Sequence, residues 1–211
     1  MEQTSLWAML AQAGWTMIPL YVCSLLALAV ILRTVIQYAL HRVPRRRLLQ
    51  DIGPDLVQGR FERIAELAEA DRSPLGRTVS VAARMAQTPE LAQAEAERVA
   101  MAELDRYEAW LPLLSFIAQA APLFGLLGTV LGMVELFGGM EAAGSEISTA
   151  TLSGGIWKAL LTTAAGLMVA IPTLGAHLWF SRTVRALRHA METGVGRVLD
   201  RARTSESVAA K

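Results

Sequence analysis

The sequence predicts an all-α integral membrane protein with three transmembrane helices and a helical cytoplasmic domain. Of its 211 residues, 53% are hydrophobic and only 18% are charged, and the mean hydropathy is +0.36. The apolar residues collect in three uncharged runs, at residues 3–32, 109–134 and 159–181. Each run is long enough to supply the roughly 20 helical residues that cross the hydrocarbon core of a bilayer. A chain of this size cannot bury all three runs in one core, which leaves lipid as their environment.

The predicted domain bounds follow from these runs. We expect a periplasmic N-terminus at 1–14, a first transmembrane helix at 15–40, a cytoplasmic helical domain at 41–110, a second transmembrane helix at 111–137, a periplasmic loop at 138–154, a third transmembrane helix at 155–181 and a cytoplasmic C-terminal helix or tail at 182–211. Trp15 and Tyr21 are expected to lie at the membrane interface, and Arg33 can extend its charge towards water. The first 14 residues contain no Lys or Arg, so a cleaved signal peptide is not expected.

The basic residues indicate the orientation of the chain in the membrane. Residues 42–109 contain eleven arginines and residues 182–211 contain seven basic residues, whereas Lys158 is the only basic residue between Arg106 and Arg182. Basic residues are preferentially retained on the cytoplasmic side of a membrane. We therefore expect a periplasmic N-terminus and a cytoplasmic C-terminus.

The cytoplasmic domain is predicted to contain several helices, because it is rich in Ala, Leu, Glu and Arg with apolar residues near helical spacing. The pattern is interrupted at Gly53-Pro54, Ser73-Pro74 and Thr88-Pro89. Ser73 and Thr88 are good N-cap residues, each followed by a proline that suits the first helical position.

The last of these helices reaches the second span without an evident stop. We expect one long helix from about Glu90 to about Phe137, bent at Pro112 and Pro122. The charges in the domain nearly cancel, with twelve acidic residues against eleven arginines at 42–109. This balance is typical of solvated helical faces and does not indicate a nucleic-acid partner.

Small residues and threonines form a stripe on each of the last two spans. On the second span the stripe comprises Ala121, Gly125, Gly128, Thr129 and Gly132, and on the third it comprises Gly155, Ala159, Thr162, Thr163, Gly166 and Ala170. Their spacings of three and four place them on one face of a helix. Such faces let helices approach closely in lipid. The two stripes predict a shared packed seam or a pore, with ordinary helix packing as the alternative.

Other kinds of site are not predicted. The segment "GLLGTVLG" has the glycines of a phosphate-binding loop, but no strand precedes it and no Gly-Lys-Ser/Thr follows. The single cysteine, Cys23, is expected to fill space in a helix. The histidines His41, His177 and His189 are scattered along the chain. We therefore expect no metal site, no cofactor and no enzymatic activity.

The two striped segments resemble a known family. The sequences "APLFGLLGTVLGMVELF" and "GGIWKALLTTAAGLMVAIPTLGAHLWF" are similar to the paired signature of the ExbB/TolQ/MotA family of proton-channel subunits, especially its ExbB and TolQ branch. The strong match covers residues 109–182, and the order of one span, a cytoplasmic helical domain and two spans covers nearly the whole chain. The resemblance implies a bacterial inner-membrane protein that assembles as a homopentamer around a dimer of single-span partners of the ExbD/TolR type, which bear a membrane aspartate.

The resemblance also implies an activity. Ion flow down the proton motive force would drive rotation of the pentamer around its partner and energise TonB-dependent outer-membrane transport or envelope processes, with a TonB- or TolA-type protein as a further partner. Two alternatives remain. A non-conducting helical scaffold explains the stripes but not two threonines at matching depth, and a stator of flagellar or gliding type usually has four spans and a longer chain.

The resemblance assigns roles to individual residues. Thr129 matches the family's pore threonine of the second span, and Thr163 matches that of the third, with Thr162 as its neighbour. A hydroxyl of this kind would bond a water chain or a partner carboxylate, and the alternative for Thr129 is a bond to its own helix backbone. Lys158 departs from the family, which commonly has a glutamate at this position. The lysine either extends to the interface or attracts an acidic partner group.

The spans contain no acidic residue in their interior. Glu135 lies at the outer end of the second span, and His177 lies towards the cytoplasmic end of the third. Because proton relays generally need a titratable group within the membrane, a carboxylate has to come from another chain if protons flow. His177 can titrate in the physiological range, but a local hydrogen bond is its expected role.

Overall fold

The computed structural model describes residues 17–40, 47–143 and 149–209, and the regular structure in these ranges is helical throughout. The helices are α1 Ile18–Leu40, α2 Arg47–Asp51, α3 Gly53–Gln58, α4 Phe61–Ala70, α5 Pro74–Arg84, α6 Pro89–Glu108, α7 Leu111–Ala143 and α8 Thr149–Ala209. The predicted fold class is confirmed for this part of the chain. The predicted periplasmic N-terminus with Trp15, residues 41–46, residues 144–148 of the predicted periplasmic loop and residues 210–211 lie outside the described residues.

Three stretches of helix are long and apolar enough to cross a membrane by length and composition, as predicted. They lie within Ile18–Tyr38, Pro89–Glu141 and Leu152–Ser205, where the most apolar windows have mean hydropathies of 2.1, 1.8 and 1.7. Many of their large apolar side chains are exposed, including Leu25 at 69% and Ile171 at 68%. An apolar surface this extensive is unfavourable in water and normal in lipid.

The chain divides into two compact units. The membrane unit comprises Met1–Leu32 and Pro112–Leu178, and the charged unit comprises Arg33–Leu111 and Trp179–Lys211. Every arginine among the described residues belongs to the charged unit. The division therefore separates the chain by polarity.

Helix α1 packs against both α7 and α8 inside the membrane unit. One buried cluster joins Leu20 of α1, and Met17 just before this helix, to Ala121, Ala165 and Ala170. A second cluster joins Cys23 and Ala27 to Ile117 of α7. Phe124 and Val169 pack against both clusters. Cys23 therefore fills apolar space, as expected of a lone free cysteine in a helix.

The helix expected from about Glu90 to about Phe137 is divided in two. Helix α6 ends at Glu108 and α7 begins at Leu111, although Ala109 keeps helical dihedral angles of φ −48° and ψ −33°. Pro112 has no N–H to donate to the carbonyl of Glu108, so the ladder of backbone hydrogen bonds is interrupted there. Pro122 and Pro172 lie inside α7 and α8 without ending either helix.

Two predicted helix starts in the charged unit differ in how they are capped. The Ser73 hydroxyl accepts a 3.0 Å hydrogen bond from the Gly76 N–H at the start of α5, as predicted for an N-cap. Thr88 occupies the N-cap position of α6, but its side chain accepts no capping bond. Its hydroxyl instead donates to the Met85 carbonyl at 3.4 Å. Thr88 therefore occupies the predicted N-cap position but does not make the hydrogen bond that a capping side chain usually accepts.

Arg33 is held by an aromatic ring at the edge of the charged unit. Its guanidinium carbon lies 4.7 Å from the centre of the Trp110 ring. Close by in sequence, the Gln37 amide donates to the Arg106 carbonyl at 3.3 Å. Cation–π contacts of this kind are worth about 0.5–1 kcal/mol at exposed sites.

An ion pair with a buried carboxylate joins α5 to α6. The Arg77 guanidinium donates to both carboxylate oxygens of Glu103, at 2.9 and 2.7 Å. The Glu103 side chain is only 9% exposed, whereas that of Arg77 is 41% exposed. Burial raises the pKa of the neighbouring Tyr107, and the charge of Glu103 raises it further. Since a buried charge that loses its partner is strongly unfavourable, this pair fixes how α5 packs on α6.

We predict that Glu103→Gln loosens α5. Losing a bidentate, charge-assisted bond should cost about 2 kcal/mol, or roughly 30-fold faster amide exchange in α5. Hydrogen-exchange mass spectrometry of the detergent-solubilised protein measures this. Glu69→Gln is the matched control, because the Arg84–Glu69 pair is exposed by 60% and 62% on its two sides and such pairs contribute little. Equal exchange in the two variants would contradict the proposed role of the buried pair.

Candidate functional site

Helices α7 and α8 contact each other through their backbones. A Cβ added at Gly166 would lie 2.6 Å from the carbonyl oxygen of Ala121 and 3.2 Å from the Cα of Gly125. A Cβ added at Gly125 would lie 2.8 Å from the carbonyl oxygen of Thr162. Backbone atoms cannot move aside as a flexible side chain can, so both positions require glycine. This is the close approach that small residues allow between helices in lipid.

The remaining small residues of the two stripes differ in how tightly they are packed. A Cβ at Gly128 would lie 2.8 Å from the Thr162 hydroxyl oxygen, whereas a Cβ at Gly132 would meet the Ala159 Cβ at an ordinary 3.4 Å. At Gly155 the obstacle, at 2.6 Å, is the end of the flexible Leu136 side chain. Contacts between the two helices therefore continue for several turns, with backbone atoms closest around Gly125 and an ordinary side-chain contact at Gly132.

The three sequence-predicted threonines meet at the tight part of this contact. The Thr129 hydroxyl of α7 hydrogen-bonds with the Thr163 hydroxyl of α8 and lies 3.4 Å from the Thr162 hydroxyl oxygen. It also lies 3.0 Å from the Ala159 carbonyl oxygen across the helix pair and 3.2 Å from that of Gly125 in its own helix. We call these three residues the threonine cluster.

Every hydroxyl proton of the threonine cluster has an acceptor within the chain. Thr162 donates to the Ala159 carbonyl at 2.7 Å, and Thr163 donates to the Gly125 carbonyl at 3.1 Å. Thr129 then has the Ala159 carbonyl or the Thr163 hydroxyl as its acceptor. A hydroxyl has one proton and two lone pairs. With all three protons engaged, the cluster has lone pairs to spare but no free donor.

The cluster lies partly inside the contact and partly at its edge. Thr162 is 2% exposed, while Thr129 and Thr163 are half-buried and reach the surface of the protomer. The α7 surface that continues from Thr129 is apolar and exposed, with Val130 at 51% and Val134 at 63%. Water is expected to be scarce along such a face, so a polar group that reaches the cluster would have few competing partners.

Lys158 precedes Thr162 of the threonine cluster by four residues, about one turn of α8. It is exposed and precedes Thr163 by five residues, which corresponds to about 140° around a helix. Within the described ranges it forms no ion pair with Glu135.

The expected local hydrogen bond of His177 is absent at one ring nitrogen. Its Nδ1 is buried and has no hydrogen-bond partner within the described part of the chain. Thr173, one turn earlier on α8, donates its hydroxyl proton to the Val169 carbonyl at 2.7 Å.

The sequence did not reveal the backbone part of the site. The carbonyl oxygens of Gly125 and Ala159 are the main acceptors of the threonine cluster, although both residues were expected only to allow close packing. Carbonyls are present at every residue, so nothing in a residue type marks one as an acceptor. The only available signal was the glycine or alanine that brings each carbonyl within reach of the opposite helix.

Comparison with known proteins finds similarity to members of one family of membrane proteins. Residues 66–193 match the model of the MotA/TolQ/ExbB proton channel family. The chain is 32% identical over 188 residues to biopolymer transport protein exbB1 of Vibrio cholerae, covering 85% of this chain and 82% of the relative. It is 31% identical over 163 residues to the putative biopolymer transport protein ExbB-like 3 of Synechocystis, covering 76% and 78%. It is also 42% identical over 89 residues to the Tol-Pal system protein TolQ of Pseudomonas aeruginosa, covering 42% and 38%.

We predict that Gly125→Ala and Gly166→Ala separate α7 from α8. Forcing an extra methyl group into a packed contact costs about 1–3 kcal/mol, which corresponds to a fall of roughly 3–10 °C in thermal unfolding temperature. Gly132→Ala is the matched control, because its Cβ fits and alanine has the better helix propensity. Tryptophan fluorescence during heating in detergent measures all three. A Gly166→Ala protein as stable as Gly132→Ala would contradict the backbone contact.

Proposed function

The chain belongs to the MotA/TolQ/ExbB proton channel family, and from this membership we propose that it is the ExbB/TolQ-like subunit of an inner-membrane proton-channel motor. It is a multi-pass protein of the inner membrane. In the proposed function it uses the proton motive force, together with an ExbD/TolR-type partner, to energise TonB-dependent outer-membrane transport or an envelope process. The observation that carries the proposal is the threonine cluster shared by α7 and α8.

The need for a partner follows from the lack of charged residues in the spans. Residues 18–32, 112–134 and 159–178 contain no Asp, Glu, Lys or Arg. Threonine does not titrate near neutral pH, so the threonine cluster can hydrogen-bond a proton carrier but cannot itself carry the proton. A single-span partner with a membrane aspartate supplies the missing titratable group. The likeness to ExbB and TolQ proteins supports a partner of the ExbD/TolR type, present as a dimer.

The hydrogen bonds of the cluster suggest how it distinguishes the two states of that aspartate. A protonated carboxylic acid donates its O–H to one of the free lone pairs, and no internal bond has to break. An ionised carboxylate needs a donor, so Thr129 or Thr163 must first leave its present acceptor. The protonated partner therefore docks at lower cost, and loss of the proton weakens the contact. This difference in binding is what allows proton transfer to drive movement of one chain past the other.

The proposed assembly is a homopentamer that surrounds the partner dimer. The exposed apolar face of α7 beside Thr129, with Val130, Val134 and Phe137, is suited to contact another helix in the membrane. The arginines at 42–109 and 182–211 support a cytoplasmic C-terminus and a periplasmic N-terminus. A TonB- or TolA-type protein would transmit the work to the outer membrane. No catalytic reaction is part of this proposal.

A second candidate is a helical scaffold that does not conduct protons. It is favoured by one observation, namely that the three hydroxyl protons are already engaged inside the chain. On this view the cluster only locks α7 to α8, as threonines do in many membrane helix pairs. The two candidates differ in what happens when a hydroxyl is removed and the packing is kept.

We predict that Thr129→Val and Thr163→Val each lower proton flux at least about tenfold in lipid vesicles containing the complex with its partner. Valine keeps the shape of threonine but cannot accept from the partner acid, and a tenfold change corresponds to about 1.4 kcal/mol. A pH-sensitive dye inside the vesicles reports the flux. Thr183→Val is the control, because that hydroxyl donates to the Trp179 carbonyl of its own helix. Full flux in both cluster variants with normal assembly would favour the scaffold.

We also predict the composition of the complex. Native mass spectrometry of gently extracted material, expressed together with the neighbouring genes, should give five copies of this chain and two copies of a small single-span protein. Van der Waals packing and interhelical hydrogen bonds hold membrane helices of neighbouring chains together. A ring or a monomer without a companion chain, under conditions that preserve the ring, would count against the motor.

A further inference from the structure

A groove lies between α6 and the C-terminal part of α8, entirely within the charged unit. Its volume is about 370 Å³, and Met101 beside it is 63% exposed. The buried side chains that form its floor are apolar: Ala96, Leu104, Met191, Val195 and Leu199. Covering an apolar floor that faces water is favourable.

The charged residues that line the groove differ in whether they have partners. Arg188 donates to the Glu108 carboxylate at 2.9 Å, and Arg203 donates to the side-chain carbonyl of Gln93 at 3.0 Å. Three further lining residues are exposed carboxylates that form no ion pair within the described ranges: Glu97, Glu192 and Asp200. The groove therefore combines an apolar floor with negative charges that lack a paired cation.

The opposite side of α8 holds the end of α3. Arg201 follows Leu199 of the groove by two residues, or about 200° around the helix. Its guanidinium donates to the carbonyls of Leu56 and Val57 at 3.1 and 3.0 Å. The Val57 side chain is 77% exposed. The exposed residues of α3, which we call the α3 knob, are Pro54, Val57 and Gln58.

Arginines border the α3 knob. Arg60 and Arg63 are 51% and 65% exposed, and both pair with the buried Asp55, at 2.5 and 3.8 Å. Arg201 bonds backbone carbonyls. Glu62 is exposed and pairs with none of these arginines within the described part of the chain. Three guanidinium groups therefore share one bonded carboxylate, so this side can offer cations to a second chain.

The groove and the α3 knob lie at the same height along α8, because Asp200 and Arg201 are consecutive residues. Copies related by rotation about an axis along this part of α8 would bring the knob side of one copy to the groove side of the next. No shift along the axis is needed. A contact between two different patches of identical chains is heterologous, and it closes into a ring when the rotation allows.

We propose that the groove between α6 and α8 receives the α3 knob of a second copy of this chain. Val57 covers the apolar floor, and Arg60 and Arg63 lie beside Glu192 and Asp200. Opposite charges at the edge then decide which two surfaces meet. This inference rests on the proposed homopentamer and identifies a surface that joins its copies.

The first test uses disulfide cross-linking between two differently tagged full-length copies, co-expressed with the neighbouring genes in the Cys23→Ala background. One copy carries Val57→Cys and the other Gly196→Cys, where an added Cβ meets nothing within 4 Å. After mild oxidation of the membranes, this pair should give at least about fivefold more two-tag product than the control pair, because a disulfide needs Cα atoms within roughly 7 Å. The control replaces Val57→Cys by Glu69→Cys, which is also exposed.

The second test reverses the charges in the same cysteine pair. Arg63→Glu on the Val57→Cys copy, or Asp200→Arg on the Gly196→Cys copy, should each lower the two-tag product about fivefold, and the two together should restore it to within about twofold. A folding defect in one copy is not repaired by a change in the other, so rescue identifies a contact. Equal yields in all four combinations overturn the inference.

The outcomes also separate this inference from the proposed assembly. If native mass spectrometry of the wild-type protein shows no ring, the proposed homopentamer fails and this inference fails with it. If the ring forms, absence of the two-tag product, or a product that joins two Val57→Cys copies instead, overturns the inference alone. It is also overturned if a maleimide labels Gly196→Cys in the intact ring as fast as Glu69→Cys, because the groove is then open.

Discussion

The backbone contact between α7 and α8 is the constraint on which the membrane unit depends. Lipid provides no hydrophobic force that drives two apolar helices together, so their association relies on dispersion contacts and interhelical hydrogen bonds. Gly125 and Gly166 allow the backbones to meet, and only at that separation does the Thr129 hydroxyl reach the Ala159 carbonyl at 3.0 Å. A methyl group on either glycine would have to push the helices apart. The packing and the hydrogen bonds therefore succeed or fail together.

Helix α1 packs against α7 and α8 on one side and does not cover Thr129 and Thr163. Its buried residues contact α7 and α8 at Ala121 and Ala165, whereas Thr129 and Thr163 remain half-buried. Lys158 lies about 140° around α8 from Thr163, but only one turn before Thr162.

Much of the fold could be predicted because its strongest determinants are local in sequence. A bilayer requires long uncharged helices, and hydropathy detects them without knowledge of tertiary contacts. The cap at Ser73 was equally local. The break before α7 is not local in this sense. A proline such as Pro112 either bends a helix or interrupts it, depending on the packing around it. Pro122, by contrast, lies within α7 without ending it.

The candidate site was predictable in its residue types but not in its hydrogen bonds. Spacing alone placed the three threonines on facing stripes. Their acceptors are backbone carbonyls, and which carbonyls are within reach depends on the register of two antiparallel helices that are separated by a loop in sequence.

The absence of acidic residues from the spans is itself physically meaningful. A carboxylate fixed in this chain would need a permanent partner, because an isolated charge in a low-dielectric setting is costly. Such a partner would hold the charge in place and oppose its movement. Hydroxyls avoid this cost, since the threonine cluster is neutral and satisfied when nothing is bound. In the proposed motor, a mobile carboxylate on a second chain would meet the cluster when it is protonated and leave when it is not. Under that proposal, dividing the polar groups between two chains permits the proton to produce relative movement.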